Sequence, residues 1–292
     1  MTARYHAPLG VIAATGPDAV KFLQGQLTQD VAQLDSGQWR FSGHCDAKGK
    51  LWSLLRVARL NDTYYLISGL ESTAASLAQL RKFAVFSKVE LTDLTGHCVT
   101  DFIPDQPLAI GQVSQQPSDE ASQCFSLGLG DATLWLQTEQ TPSAPDPDQR
   151  WLIHEIMQGV VQLTEATIGE YVPQMVGLDR LDGINFKKGC YIGQETVARM
   201  HYLGQNKRAL RLLCGEAHEI PAAGTVIEQK LGDNWRRAGA VINAVRYDSN
   251  EVYILAVVPA DLSDDVAIRI KGDEQSRFTL RPTFDNQEIS NE

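Results

Sequence analysis

The stretch FKKGCYIGQE, residues 186–195, crowds two lysines, two glycines, a cysteine, two aromatic rings and a Gln-Glu pair into ten positions. Gly189 and Gly193 bracket Cys190-Tyr191-Ile192, and glycines at that spacing let a backbone turn sharply and permit close approach by another group. Gln194 to Ala198 then have helical composition. Cys190 is therefore expected just before a helix N-terminus and beside Lys187 and Lys188, both of which favour thiolate over thiol. The same geometry offers free N–H groups to an anion. The residues also support a plainer reading, in which Cys190 is a small half-buried side chain in a turn and Glu195 a first-turn helix acid. Nucleophilic catalysis by cysteine needs a histidine base and a third, orienting group. His154 and His201 are candidates by count alone, and nothing in the sequence places either beside Cys190.

Charge is unevenly spread around this stretch. The chain carries a net charge of -10, which opposes broad capture of nucleic acid through phosphates. Yet from Lys187 to Arg211 six basic residues (Lys187, Lys188, Arg199, Lys207, Arg208 and Arg211) stand against one acid, Glu195. A charge run is most often a solvated face, so direct tRNA binding is disfavoured.

Beyond Arg208 the texture becomes runs of strand residues (RALRLLC, TVIEQKL, WRRAGAVINAVRY, EVYILAVVP) separated by turn signals. That pattern predicts a C-terminal antiparallel β-barrel over 205–284, with a polar tail at 285–292. Upstream, TPSAPDPD at 141–148 holds three prolines and reads as a linker launching a helix, in which Trp151, Leu152, Ile156 and Met157 are periodic and Gly159 is the stop. Near the N-terminus GVIAA reads as a strand. Thr15-Gly16-Pro17-Asp18 resembles a capping box, and Phe22, Leu23, Leu27, Val31 and Leu34 form one face of a following helix. HCDAKGKLWSLLRVARL and TYYLISG read as a strand meander, and ESTAASLAQLRKFAVF as a helix capped by Ser72 or Thr73.

At 292 residues several packed modules are expected rather than one. The five cysteines, Cys45, Cys98, Cys124, Cys190 and Cys214, include no C-x-x-C pair, so neither a disulfide framework nor a protein-only metal site is expected. No signal peptide or membrane span is legible, and the expected location is the cytoplasm.

KKGCYIGQE resembles the signature of the YgfZ folate-binding protein family, which includes iron–sulfur assembly factors and is related to the aminomethyltransferase T-protein of glycine cleavage. FLQGQLTQDV at 22–31, HCDAKGKLWS at 44–53, YVPQMVGLDRLDGINF at 171–186, QNKRALRLL at 205–213 and NWRRAGAV at 234–241 resemble it too. The resemblance implies an α+β fold. Two interleaved ferredoxin-like α/β lobes, over 1–204, surround a central cleft and are followed by the barrel. The implied ligand is tetrahydrofolate or a derivative, bound non-covalently. A flat pterin needs a stacking or apolar wall, and the anionic glutamate tail needs positive charge. Two tryptophans are associated with folate in the family. One falls on Trp151; the other, counted back without gaps from Thr15-Gly16, falls on Leu9, where an aliphatic side chain thins the wall.

The binding residues so implied are Leu9, Trp151, Lys188, Gly189, Tyr191, Gly193, Gln194 and Glu195, with Cys190 as a functional thiol facing the same interlobe cavity as Trp151. The implied role is that of a monomeric accessory protein. It supports iron–sulfur client enzymes, such as tRNA-thiolating proteins, and thereby tRNA modification, without turnover of its own. The alternative is a tetrahydrofolate-dependent aminomethyl transferase.

Overall fold

The computed structural model describes residues 3–115, 123–138, 149–204, 206–247, 251–281 and 284. The expected linker at 141–148 and tail at 285–292 lie outside the described residues.

Alternation along the first sheet explains the architecture. Its strands are β2 (Leu9–Thr15), β3 (Gln38–Cys45), β4 (Leu51–Leu60), β5 (Thr63–Gly69) and β6 (Glu90–Asp93), paired antiparallel in the order β3-β4-β5-β2-β6. Side chains of a strand point alternately to opposite faces. Ile12, Ala14, Leu55, Val57, Tyr64 and Leu66 accordingly fall in one core with Phe22, Leu23, Leu77 and Leu80. These last four come from helices α1 (Ala19–Gln26) and α2 (Leu70–Ala84). Leu9, Val11, Leu54, Ala58, Tyr65 and Ile67 point the other way, into a larger core.

That larger core is shared by all parts of the molecule. It takes Phe102, Phe125, Leu127, Leu134 and Leu136 from a second antiparallel sheet. The second sheet has the order β1-β7-β10-β9-β8, built from β1 (Tyr5–His6), β7 (Cys98–Ile103), β8 (Val113–Gln115), β9 (Cys124–Gly128) and β10 (Thr133–Thr138). Because β1 precedes the first sheet in the chain yet pairs with β7 of the second, the two lobes are interleaved. Helix α3 (Arg150–Gln158) adds Trp151 and Ile156, and one barrel wall adds Leu210, Leu212, Leu255 and Val257. The barrel is closed in the order β11-β14-β13-β12-β15-β16, from β11 (Arg208–Glu216), β12 (Val226–Leu231), β13 (Asn234–Arg246), β14 (Val252–Pro259), β15 (Ile268–Ile270) and β16 (Asp273–Leu280). Its interior core includes Leu213, Ile254, Ala256 and Val258. The α+β class, the interleaving and the antiparallel barrel all follow the sequence reading.

Three local expectations differ. Helix α1 stops at Gln26, short of Val31 and Leu34, because long-range partners capture the chain. The Thr28 N–H donates to the Gly43 carbonyl (2.9 Å), and the Gln29 N–H to Ser42 Oγ (3.1 Å). Asp18 precedes the first turn but makes no side-chain cap; its carboxylate accepts the Lys88 N–H at 2.7 Å instead. Helix α2 begins at Leu70, so Ser72 and Thr73 lie inside its first turn, where their hydroxyls donate back to the Gly69 and Ser68 carbonyls.

His44 ties the first sheet to α2, with Nδ1 2.6 Å from Ser76 Oγ. Burial holds the ring neutral and pushes its pKa from 6.5 down to about 4. Between those values the unfolded chain binds the proton and the folded protein does not, so stability falls as pH falls through this window. The protein is expected to be about 2 kcal/mol less stable to urea at pH 5 than at pH 7 from this group alone. His44→Asn should flatten that slope.

Candidate functional site

Arg56 occupies an inward position of β4, between Leu54 and Ala58 on the face that meets α3, and there it finds Glu155. The guanidinium donates through two nitrogens, Nη1 to Oε2 at 3.0 Å and Nη2 to Oε1 at 2.6 Å. Both side chains are buried. Burial, the largest single influence, would raise the Glu155 pKa; the charge and hydrogen bonds of Arg56 together with neighbouring His154 outweigh it and hold the carboxyl below its usual value. Aromatic rings surround the guanidinium carbon, with the Trp39, Phe41 and Trp151 centroids at 5.7, 5.0 and 5.2 Å.

Trp151 lies one helical turn before Glu155 on the same face of α3 and is 1% exposed. It packs on Phe102 at 5.7 Å and stacks on His154 at 6.1 Å. His154 Nδ1 stands 3.8 Å from Glu155 Oε1. Leu9 belongs to the same core. Two buried donors there, Trp151 Nε1 and Arg56 Nε, have no hydrogen-bond partner among the described residues. A buried N–H without an acceptor is disfavoured by about 1–3 kcal/mol, and such groups in a native core point to function. Aromatic faces beside unpaired donors suit a flat heterocycle that carries acceptors.

The signature stretch has a different environment. Lys188 is buried, and its ammonium donates to three carbonyls that close α1 and the turn after it: Gln24 (2.8 Å), Leu27 (2.6 Å) and Gln29 (2.8 Å). Burial lowers its pKa to about 8, which leaves it mostly charged at neutral pH with a carbonyl for each proton. The Ile192 N–H donates to the Gly25 carbonyl at 3.1 Å. Gly193 precedes helix α4 (Gln194–Leu203) with φ +83°, and a Cβ there would stand 2.4 Å from the Asp46 carbonyl oxygen, so only glycine lets the loop dock on that turn. Tyr191 is buried, while Gly189 and Cys190 are exposed, Cys190 alone among the five cysteines.

The expected site residues thus fall into two groups, Leu9 with Trp151 in the shared core and Lys188 to Glu195 at the end of α1. Among the described residues no hydrogen bond, ion pair or ring contact joins Cys190 to Trp151. His201 stacks on Phe186 at 3.7 Å, and among the described residues no hydrogen bond brings it or His154 to Cys190. The basic run is dispersed. Lys188 is internal, Arg199 pairs with Glu195, Arg211 with Asp264 (3.1 Å), and Arg208 donates to the Ala238 carbonyl (2.6 Å). Sequence reasoning missed Arg56 and Glu155; the available signal was a lone charge at an inward position of an apolar strand. Among the described residues no three His, Cys, Asp or Glu side chains gather as a metal set, and no helix is long and apolar enough to cross a membrane.

Residues 206–273 match the family model of the YgfZ β-barrel domain. A tRNA-modifying protein YgfZ of Aliivibrio fischeri (strain MJ11) is 33% identical, with 95% of this chain and 91% of that protein covered. The chain belongs to the YgfZ family. The family member of that name from Photorhabdus laumondii subsp. laumondii is 36% identical over 94% of this chain and 89% of its own length. Among solved structures, glycine cleavage system aminomethyltransferase T from Bartonella henselae superposes with a TM-score of 0.68 at 16% identity, covering 96% of this chain and 85% of that one. The family fold is therefore that of an aminomethyltransferase.

Three variants separate the groups. Glu155→Ala strands a buried guanidinium and should destabilise the protein by about 3–5 kcal/mol in urea unfolding, while Arg56→Leu combined with Glu155→Leu should recover most of that loss. Lys188→Met leaves three carbonyls unpaired. It should cost roughly 3 kcal/mol and speed amide hydrogen exchange across 188–193 without loosening α3.

Proposed function

We propose that this chain is a folate-binding accessory protein that maintains iron–sulfur enzymes and, through them, the modification of tRNA. The tRNA element draws on the names of the relatives, which are at least 33% identical over nearly the whole chain. The observation that carries the folate element is the pair of unpaired donors, Trp151 Nε1 and Arg56 Nε, in an aromatic-walled core between the lobes. Tetrahydrofolate carries ring nitrogens and a carbonyl that accept such bonds, and a flat face that stacks on indole. When bound, the folate supplies one-carbon or redox chemistry; Trp151 and Arg56 bind and orient its ring, and Glu155 keeps the guanidinium in place.

With Trp151 1% exposed, a pterin reaches it only if α3 parts from its neighbours, so binding selects a more open arrangement. Cys190, exposed at the end of α1, serves as the thiol presented to the client. The aminomethyltransferase fold keeps a second reading in view, tetrahydrofolate-dependent aminomethyl transfer. It requires turnover of an aminomethyl donor by the purified protein with tetrahydrofolate alone; the accessory reading expects none.

Calorimetric titration with tetrahydrofolate tests the core site. Trp151→Phe keeps a ring but removes the free N–H, and is expected to weaken binding about tenfold. Equal affinity of the two proteins would remove Trp151 from the site. In a strain lacking the gene, Cys190→Ala should restore tRNA thiolation less well than wild type; full restoration would end the thiol's role.

A further inference from the structure

Four titratable side chains that the proposed function leaves unused meet on the barrel. Cys214 of β11 stands directly across from Tyr253 of β14, and both belong to the shared core. Glu251 immediately precedes β14, and Arg281 immediately follows β16. Cys214 Sγ donates to Glu251 Oε1 at 3.4 Å, and Arg281 Nη2 donates to the same sulfur at 3.5 Å. The Tyr253 hydroxyl donates to the other carboxylate oxygen, Oε2, at 3.3 Å, and Arg281 Nη2 lies 3.9 Å from Oε1.

Each neighbour fills a role that a reactive thiol requires. A nucleophilic cysteine needs a base within hydrogen-bond reach, a group that orients the base, and a cation that favours thiolate. Glu251 is the proton acceptor, Tyr253 orients it, and Arg281 is the cation. The bond to Cys214 is the largest cause that raises the Arg281 pKa, so the guanidinium remains charged. Burial first, and then the neighbouring sulfur and carboxylate, raise the Tyr253 pKa and keep the phenol a donor.

The other buried thiols are built differently. Burial pushes Cys98 up to about 12 and Cys45 well above the usual thiol range, and it raises Cys124 as well. Among the described residues, Cys214 alone has its sulfur hydrogen-bonded to both a carboxylate and a guanidinium.

Exposure selects the reagent. Cys214 is only 5% exposed, whereas the Glu251 and Arg281 side chains above it are 46% and 48% exposed. A polar rim thus separates the sulfur from solvent by one layer of side chains. Hydrogen peroxide, little larger than water, can pass such a rim and accept hydrogen bonds from it. A bulky disulfide cannot align its S–S bond with a sulfur so enclosed.

We propose that Cys214 is a site of oxidation by small hydroperoxides, with Glu251 as its base and Arg281 as the cation that holds the sulfur's charge. Glu251 takes the thiol proton. The sulfur then attacks one peroxide oxygen, so that an S–O bond forms as the O–O bond breaks. Sulfur gives up two electrons and becomes a sulfenic acid, while the departing hydroxide recovers the proton from Glu251 and leaves as water. The proposal is independent of folate and of any client protein.

The test uses the full chain carrying Cys190→Ser, which removes the exposed thiol. After hydrogen peroxide, dimedone traps sulfenic acids, and peptide mass spectrometry measures the adduct at each cysteine. The Cys214 adduct is expected to form about tenfold faster than those of Cys45 and Cys98. Glu251→Gln and Arg281→Met are each expected to slow it about tenfold, and Arg281→Lys is expected to keep most of the rate. Cumene hydroperoxide should react more slowly than hydrogen peroxide. The Cys45 and Cys98 adducts in the same digest report unfolding, because loss of the fold raises both. Labelling of Cys214 no faster than that of Cys45 and Cys98 in the otherwise unaltered protein overturns the proposal. So does a rate unchanged by Glu251→Gln and Arg281→Met, or lost as fully in Arg281→Lys as in Arg281→Met.

Discussion

The Arg56–Glu155 pair is the constraint on which the rest of the structure depends. It joins the first sheet to α3 across a core shared by both lobes and the barrel. Two charges taken out of water are stable only as a pair with good geometry, because each alone carries a desolvation penalty of several kcal/mol. The bidentate fork supplies that geometry, and three aromatic rings enclose the cation. The pair fixes the helical phase of α3 more sharply than aliphatic packing would. Leu and Ile tolerate small rotations; a two-point fork does not. Trp151, one turn away on the same face, inherits that fixed phase, and its N–H meets no acceptor among the described residues.

The signature loop obeys a different constraint. Its anchor is an ammonium against the carbonyl end of α1, where the helix leaves acceptors unpaired and its dipole favours a cation. Ile192 and Lys188 tie the loop to the helix layer, while Tyr191 turns inward toward Cys45, a member of the shared core. The loop therefore wraps the edge of the first sheet, with Gly193 making the close approach to the Asp46–Gly49 turn. Cys190 is exposed, with Gly189, on the short stretch between buried Lys188 and buried Tyr191.

Much of this was legible in the sequence because it is local. Glycine at 193 followed by a helical run, Gly159 ending α3, and strand runs with turn signals beyond Arg208 are all decided within a few residues. What escaped notice is set by partners far along the chain. The apolar spacing through Leu34 is genuinely helical, yet Thr28 and Gln29 bond to Gly43 and Ser42 of β3, and those bonds outweigh propensity. Lys188 reads as a surface cation until its three carbonyls are placed around it. Arg56 and Glu155 stand 99 positions apart, and only the fold brings them together.

The two constraints together imply a division of labour. The aromatic environment of Arg56 and Trp151 lies inside the shared core, whereas the thiol lies outside, at a loop whose backbone is held by α1. One group cannot be carried to the other by a side-chain rotation, since Trp151 is sealed by packing and Cys190 is flanked by Tyr191, which is buried, and Gly189, which carries no side chain to move. Chemistry at the thiol is therefore chemistry on something that arrives from solvent. The core reaches it in part through β3 and the turn that follows it, which carry Cys45 near Tyr191 and the Asp46 carbonyl beside Gly193. A shift of α3 on opening the core loads the first sheet through Arg56 of β4, and β4 is the direct antiparallel neighbour of β3. The sheet is thus a direct structural link between the core around Trp151 and the loop that carries Cys190.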